Sequence, residues 1–220
     1  TATLGDVTVV NTANANHDVV RRFVEQCGAD VIVLSEVNER WMEALAGLTN
    51  DFRHAHVHAR EDNFGIALFS KHELIEPESV DLSEAEVPTI TTNIRIGDRR
   101  LLIVATHPVP PGSAEGTRLR NEELAALGTL LAAHDTPAVL IGDLNTTPWN
   151  GAFKRLLRRS GLKNSTIGFS LCATWPAGLF PLRIPIDHCL VSSELHVVAK
   201  KTGPHIGSDH YPLIVDLRLP

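Results

Sequence analysis

Cysteine is scarce in this sequence: its 220 residues hold three, Cys27, Cys172 and Cys189, none of them in a Cys-x-x-Cys pair. That number excludes a disulfide framework, and the lack of paired Cys and His ligands argues against a structural zinc site. The three thiols read as buried apolar side chains. A basic excess is missing too, because 20 Lys and Arg face 26 Asp and Glu, for a formal net charge of -6. No global positive field draws in duplex nucleic acid, although bound cations would reverse the field locally at an acidic site. No run approaches the roughly 18 apolar residues of a membrane span, and no signal peptide opens the chain. The first residue is Thr rather than Met, as expected of a processed product or an excised domain.

What is present has the composition of a globular protein, 43% hydrophobic and 21% charged, in a chain long enough to bury a full core. Strand-like and helix-like runs alternate, with several strands in direct succession in the middle. Val7 to Val10 predicts a strand and Asp18 to Cys27 an amphipathic helix. Val31 to Leu34 is a short continuous apolar run, as in a strand covered on both faces. Arg40 to Leu48 predicts a second helix, and Phe52 to Val57 and Ile66 to Ser70 two further strands. Ile90, Ile94 and Ile96 alternate with polar residues before Gly97-Asp98, which predicts a hairpin with a type II′ turn and a return strand over Leu101 to Ala105. A loop follows from Pro108 to Gly116, then a long helix from Glu122 to Ala133. Val139 to Ile141 is another buried strand, Trp149 to Arg158 another helix, and 161–185 a loop-rich stretch. Ile186 to Val191 and Leu213 to Leu217 complete the strands. With no repeat and no linker, residues 1–220 read as a single mixed α/β domain.

Polar residues sit where these strands end. Asn11 follows Val7 to Val10, Glu36 follows Val31 to Ser35, and His107 follows the strand through Ala105. Asp143 and Asn145 follow Val139 to Ile141, Asp187 lies in Ile-Asp-His-Cys-Leu-Val, and Asp209-His210 opens the last strand. Taken singly, each has a structural explanation: Asn11 and Asn145 as turn formers, Gly142-Asp143 as a turn, Glu36 as a helix cap. Taken together, carboxylates, amides and two histidines at strand ends would surround one cleft with the oxygen donors that hard cations such as Mg²⁺ or Mn²⁺ prefer.

The motifs Leu-Ser-Glu36-Val, Thr-His107-Pro, Gly-Asp143-Leu-Asn145-Thr, Ile-Asp187-His and Gly-Ser-Asp209-His210-Tyr-Pro, in this order, resemble the deoxyribonuclease I-like endonuclease/exonuclease/phosphatase superfamily. The resemblance runs from Asn11 to His210. It implies a four-layer α/β/β/α sandwich, two packed mixed β-sheets flanked by helices. It also implies a metal-dependent phosphoric ester hydrolase using one or two Mg²⁺ or Mn²⁺ ions, most readily a phosphodiesterase or nuclease. Glu36 would bind the cation, with Asn11 and Asp209 completing the shell. His210 would be the general base, Asp187 the carboxylate that fixes its tautomer, and Asp143 and Asn145 the groups that position nucleophile and phosphate oxygen. His107 would bind the phosphoryl group or assist the leaving oxygen. Ser35 stands where many relatives have Gln, and no long basic insertion of the kind that grips duplex DNA is present. The substrate is then a nucleic acid, a phospholipid or a small-molecule ester. A lipid or small-molecule phosphodiesterase or phosphatase is one alternative, and a non-catalytic binding module that retains the fold is another.

Arg118, with Arg120 beside it, is a candidate phosphate contact. Strand alternation puts Asp187 and His188 on opposite faces, so His188 reads as structural. His54, His56 and His58 read as a solvent-facing strand surface, and Trp41 and Trp149 as packing residues. The apolar segment Trp175 to Pro185 either packs over the core or forms a substrate- or membrane-facing rim. Its run into Ile-Asp-His resembles a bacterial subgroup whose catalytic domain follows membrane-spanning helices, which implies attachment through segments outside this chain.

Overall fold

The computed structural model describes residues 2–13 and 15–219. In chain order its elements are β1 (Ala2–Asn11), α1 (His17–Gln26), β2 (Val31–Ser35), α2 (Glu39–Ala44), β3 (His54–His58) and β4 (Ile66–Ser70). They continue with β5 (Leu74–Asp81), β6 (Pro88–Ile96), β7 (Arg99–Ala105), α3 (Ala114–Ala132) and β8 (Ala138–Asp143). The chain ends with α4 (Gly151–Ser160), β9 (Lys163–Asn164), β10 (Asp187–Val191), β11 (His196–Thr202) and β12 (Leu213–Leu219). Two six-stranded sheets form, ordered β11-β12-β1-β2-β4-β3 and β5-β6-β7-β8-β10-β9. Only β1 with β2 and β7 with β8 pair in parallel among these neighbours.

The layering follows from side-chain alternation. In β2, Val31 and Val33 point into the core between the sheets, while Ile32 and Leu34 pack under α1 and α2. In β8, Val139 and Ile141 face the other sheet and Leu140 faces α3 and α4. Strands covered on both faces must be apolar at every position, hence the continuous runs. Each large side chain so buried contributes about 1.5–3 kcal/mol. The result is the α/β/β/α sandwich expected from the motifs. The hairpin holds as well: Ile96 pairs with Arg99 around Gly97, whose φ is +60°, and Ile90, Ile94 and Ile96 all enter the inter-sheet core.

Several expectations are corrected. Helix α3 begins at Ala114, eight residues before Glu122, because the Ser113 side chain accepts from Gly116 N at 2.9 Å and caps it. The second helix is shorter than Arg40 to Leu48 and passes at Leu45 into a 3-10 turn, Ala46–Asn50. Helix α4 begins at Gly151 rather than Trp149, capped by Asn150, and Trp149 lies outside it, 59% exposed rather than packed. Trp41 is buried as expected. His54, His56 and His58 lie on the half-buried face of β3 while Ala55 and Val57 face solvent, and His56 Nε2 meets Ser79 Oγ of β5 at 3.0 Å. Strands β5 and β11 were not foreseen. Both are edge strands carrying bulges, and β5 contains Pro77 and two Glu, a composition tolerated only where one side of the strand is unpaired.

Candidate active site

The parallel pairs bring the C-terminal ends of β1, β2, β7 and β8 to one end of the sandwich, where β10 begins. Asn11 is the last residue of β1, paired with Ser35, and its Nδ2 donates to Glu36 Oε1 at 3.0 Å. Glu36 has a φ of +63°, uncommon for a residue with a side chain. The Thr12 hydroxyl stands within hydrogen-bonding distance of the Ser35 and Glu36 carbonyls, at 3.0 and 2.8 Å, and fixes that conformation. Asp143 is not in a turn but ends β8, paired directly with Asp187. Gly142 before it has φ +152°, and a Cβ there would lie 1.9 Å from the Thr106 carbonyl oxygen, so only glycine lets the His107 segment approach.

From this frame the side chains converge. His210 Nδ1 donates to Asp187 Oδ2 at 2.8 Å, leaving Nε2 3.6 Å from Asp143 Oδ2. His107 Nε2 approaches the same oxygen at 3.7 Å. Asp143 Oδ1 accepts from the Asn145 amide at 2.8 Å, and Asn145 Nδ2 donates to the Pro108 carbonyl at 2.9 Å. Asp209 Oδ2 accepts from the Trp175 indole at 3.3 Å, while its buried Oδ1 meets no hydrogen-bond partner among the described residues.

Burial and crowding set the protonation states. Burial would lower His210, but the charge and hydrogen bond of Asp187, with Asp143 and Asp209 behind it, raise it to about 9. Burial, reinforced by the charge on His210, lowers His107 to about 4. Burial and the neighbouring Asp187 push Asp143 up, whereas for Asp187 burial is overcome by the charge and hydrogen bond of His210 together with the Thr174 hydrogen bond, which hold it down. Glu36 is raised by burial, against the opposing hydrogen bond from Asn11.

A cleft of about 660 Å³ opens over this cluster and is lined by Glu36, His107, Asp143, Asn145, Asp209 and His210, among others. Asn11 and Asp187 stand one layer behind, each holding a residue of the lining. Seven of the nine residues singled out from the sequence are therefore drawn together at the cleft wall or directly behind it by pairing and hydrogen bonds, and Asp209 joins them through Trp175. Arg118 does not: it is exposed and paired with Glu84, Glu115 and Glu122. Its place at the cleft is taken by Arg120, 4% exposed, whose Nη1 donates to the Asn145 carbonyl at 2.9 Å. The loop Asp62-Asn63-Phe64 and the residues Asn150 and Trp175 also line the cleft without having been singled out as site residues. The apolar Trp175 was the signal available. His188 points away from the cleft, donating Nε2–H to the Thr146 carbonyl at 2.8 Å against the Phe153 ring.

The sequence profile of the Endonuclease/Exonuclease/phosphatase family matches residues 10–210. The chain belongs to this family. Members of the endonuclease/exonuclease/phosphatase family are hydrolases acting on phosphoester bonds. No curated protein matches the sequence. Among solved structures, the chain is similar to an endonuclease/exonuclease/phosphatase from Bacteroides vulgatus, with 17% identity, TM-score 0.80 and coverage of 98% of this chain and 99% of that one. It is similar to truncated Caenorhabditis elegans TDP2, with 15% identity, TM-score 0.77 and 97% of each chain covered. A third is sphingomyelinase C from Streptomyces griseocarneus, with 19% identity, TM-score 0.72 and coverage of 98% and 99%. At such identities these likenesses speak for the fold.

The donor set suits a hard cation. Glu36 offers a carboxylate at the cleft, and the unpartnered Asp209 Oδ1 is a buried oxygen that needs a positive partner. Asp143, Asp187 and His210 also bring potential ligand atoms within 4.8 Å of one another. In that trio His210 Nδ1 is committed to Asp187, which leaves Nε2 as its free ring nitrogen.

Proposed function

We propose that this chain is a divalent-metal-dependent phosphodiester hydrolase in which His210, oriented by Asp187, activates water. The observation that carries the reading is the His210–Asp187 pair, whose free Nε2 points into the cleft beside Asp143 and near Glu36 and Asp209. A carboxylate on Nδ1 fixes the tautomer and stabilises the imidazolium. With the site's carboxylates alone His210 is raised to about 9 and carries its proton at neutral pH. With a cation held by Glu36 and Asp209 it would be lowered, freeing Nε2 as the proton acceptor. Glu36 and Asp209, with Asn11 steadying Glu36, would hold Mg²⁺ or Mn²⁺, which would supply Lewis-acid neutralisation of the phosphate charge. Asp143 and the Asn145 side chain orient the attacking water and a phosphate oxygen. Buried His107, held neutral, donates a hydrogen bond to the phosphoryl group without adding a competing base.

Hydrolysis of bis-p-nitrophenyl phosphate with Mg²⁺ or Mn²⁺, against EDTA, tests this directly. Turnover requires the metal, and His210→Ala and Glu36→Ala each lower it by about 10²–10⁴-fold, the range for a positioned acid–base group. Unchanged rates in both variants would refute the assignment. A nucleic-acid and phospholipid panel then separates the substrate classes. Acidic net charge and the apolar rim beside the cleft favour the lipid arm over long duplex DNA.

A further inference from the structure

Nine large hydrophobic side chains are exposed among the described residues, and six of them fall between Ile167 and Leu182. Ile167, Phe180 and Leu182 are 72%, 80% and 72% exposed, so most of each side chain stands in solvent. The chain carries 26 acidic residues, yet Ser165 to Ile186 contains none, and its one charged residue is Arg183. The Arg183 guanidinium lies 5.5 Å from the Phe180 ring centroid and 5.0 Å from that of Tyr211. Lys200 enters from β11, its Nζ donating to Thr166 Oγ1 at 2.6 Å. Among the described residues neither cation is ion-paired. A groove of about 490 Å³ runs between them, bordered by Leu171, Phe180, Arg183, Lys200 and Lys201.

We propose that this rim docks the protein onto a bilayer surface containing anionic phospholipid. Projecting apolar side chains interleaved with cations, in a stretch without carboxylates, match the acyl boundary and the negative headgroups of such a surface. The charge is complementary here although the chain as a whole is negative. A flat protein interface would instead favour a contiguous apolar patch with a mixed-charge rim. The base of the same loop is pinned at the cleft: Trp175 bridges Ile184, both line the cleft, and the Ala177 amide donates to the Asp209 carbonyl at 2.6 Å. Docking of the tip therefore sets the cleft mouth beside the membrane surface.

Vesicle co-sedimentation of the protein tests the proposal without turnover, so its failure is distinct from failure of the hydrolase reading. Vesicles of phosphatidylcholine alone are compared with vesicles of phosphatidylcholine and phosphatidylglycerol, at low and high salt. Binding to the mixed vesicles, weakened by salt, is expected. The double variant Phe180→Ser, Leu182→Ser loses about tenfold or more of it, since two inserted apolar side chains are removed. Arg183→Gln reduces the preference for the anionic mixture, and Val57→Ser, on β3, binds like the parent. Circular dichroism melting and hydrolysis of bis-p-nitrophenyl phosphate, both unchanged in the double variant, show that fold and cleft are intact. No binding to the mixed vesicles, or equal binding by the double variant, overturns the proposal. So does light scattering that shows the patch holding two copies together, with the double variant monomeric.

Discussion

The floor of the cleft and the rim beside it depart from ordinary burial in opposite directions. At the floor, His107, Asp143, Asp187 and His210 are almost wholly buried, although charged and polar groups normally seek water. At the rim, Leu179, Phe180 and Leu182 are exposed, although apolar groups normally leave it. The floor is held by hydrogen bonds between facing strand ends, where β8 and β10 set Asp143 opposite Asp187. The rim is tethered at its base by the Trp175–Ile184 bridge and the amide of Ala177, and beyond it Arg183 lies over the Phe180 and Tyr211 rings. Burial at the floor costs folding free energy through desolvation, whereas exposure at the rim only forgoes a gain. Under the two proposals above, the floor is completed by an anionic ester with its cation and the rim by an apolar surface.

His188 breaks the comparison most strongly, because it is buried and polar one residue from Asp187 yet faces the helices. Burial lowers it to about 4, while in the unfolded chain it titrates at about 6.5. The unfolded state therefore binds more protons between these values. The contribution of His188 is fully present above pH 6.5 and falls away as pH drops toward 4, by about 3 kcal/mol in all. Urea midpoints measured across this window should show that loss together with the like contribution of His107, and His188→Phe should reduce the slope by the His188 share.

Asp143→Asn sharpens the comparison at the floor. Burial and Asp187 raise the Asp143 carboxyl, so its ionised form costs stability at neutral pH, while Asn keeps the acceptor for the Asn145 amide. Thermal unfolding should show a gain of about 1–2 kcal/mol, with hydrolysis sharply reduced, the pattern of a site that trades stability for function. At the rim, Phe180→Ser should move stability by no more than about 1 kcal/mol in the same assay, because the ring is 80% exposed and gives up its contact with the Arg183 guanidinium. A loss of several kcal/mol there would mean that the rim is packed after all.

Much of the floor was legible because a strand's end is marked by its sequence: an apolar run stops at Asn11, Glu36 or Asp143, and the polar residue that stops it lies at the mouth. The Arg118 assignment failed for a helical reason. Two residues on an α-helix are separated by about 200° around its axis, so Arg118 and Arg120 face opposite ways, and only the packing of α3 decides which meets the cleft. Likewise the spacing of His54, His56 and His58 puts them on one face, but which face turns inward depends on β5 and the other sheet. Edge strands β5 and β11 escaped notice because half of their backbone pairing, and hence half of the apolar demand, is absent.

The sequence by itself determined a mixed α/β chain, the identity of the residues at its strand ends and the inward and outward faces of β10, while the two-sheet sandwich was implied by the resemblance of its motifs to a known family. The first three depend on periodicity and on local runs. Only the tertiary structure decided that Asp187 stands opposite Asp143, that Arg120 closes over Asn145, that Trp175 reaches Asp209 and that residues 178–182 stay in water. Each of these joins segments far apart in the chain, and their meeting is set by sheet register and helix packing, which no local pattern encodes.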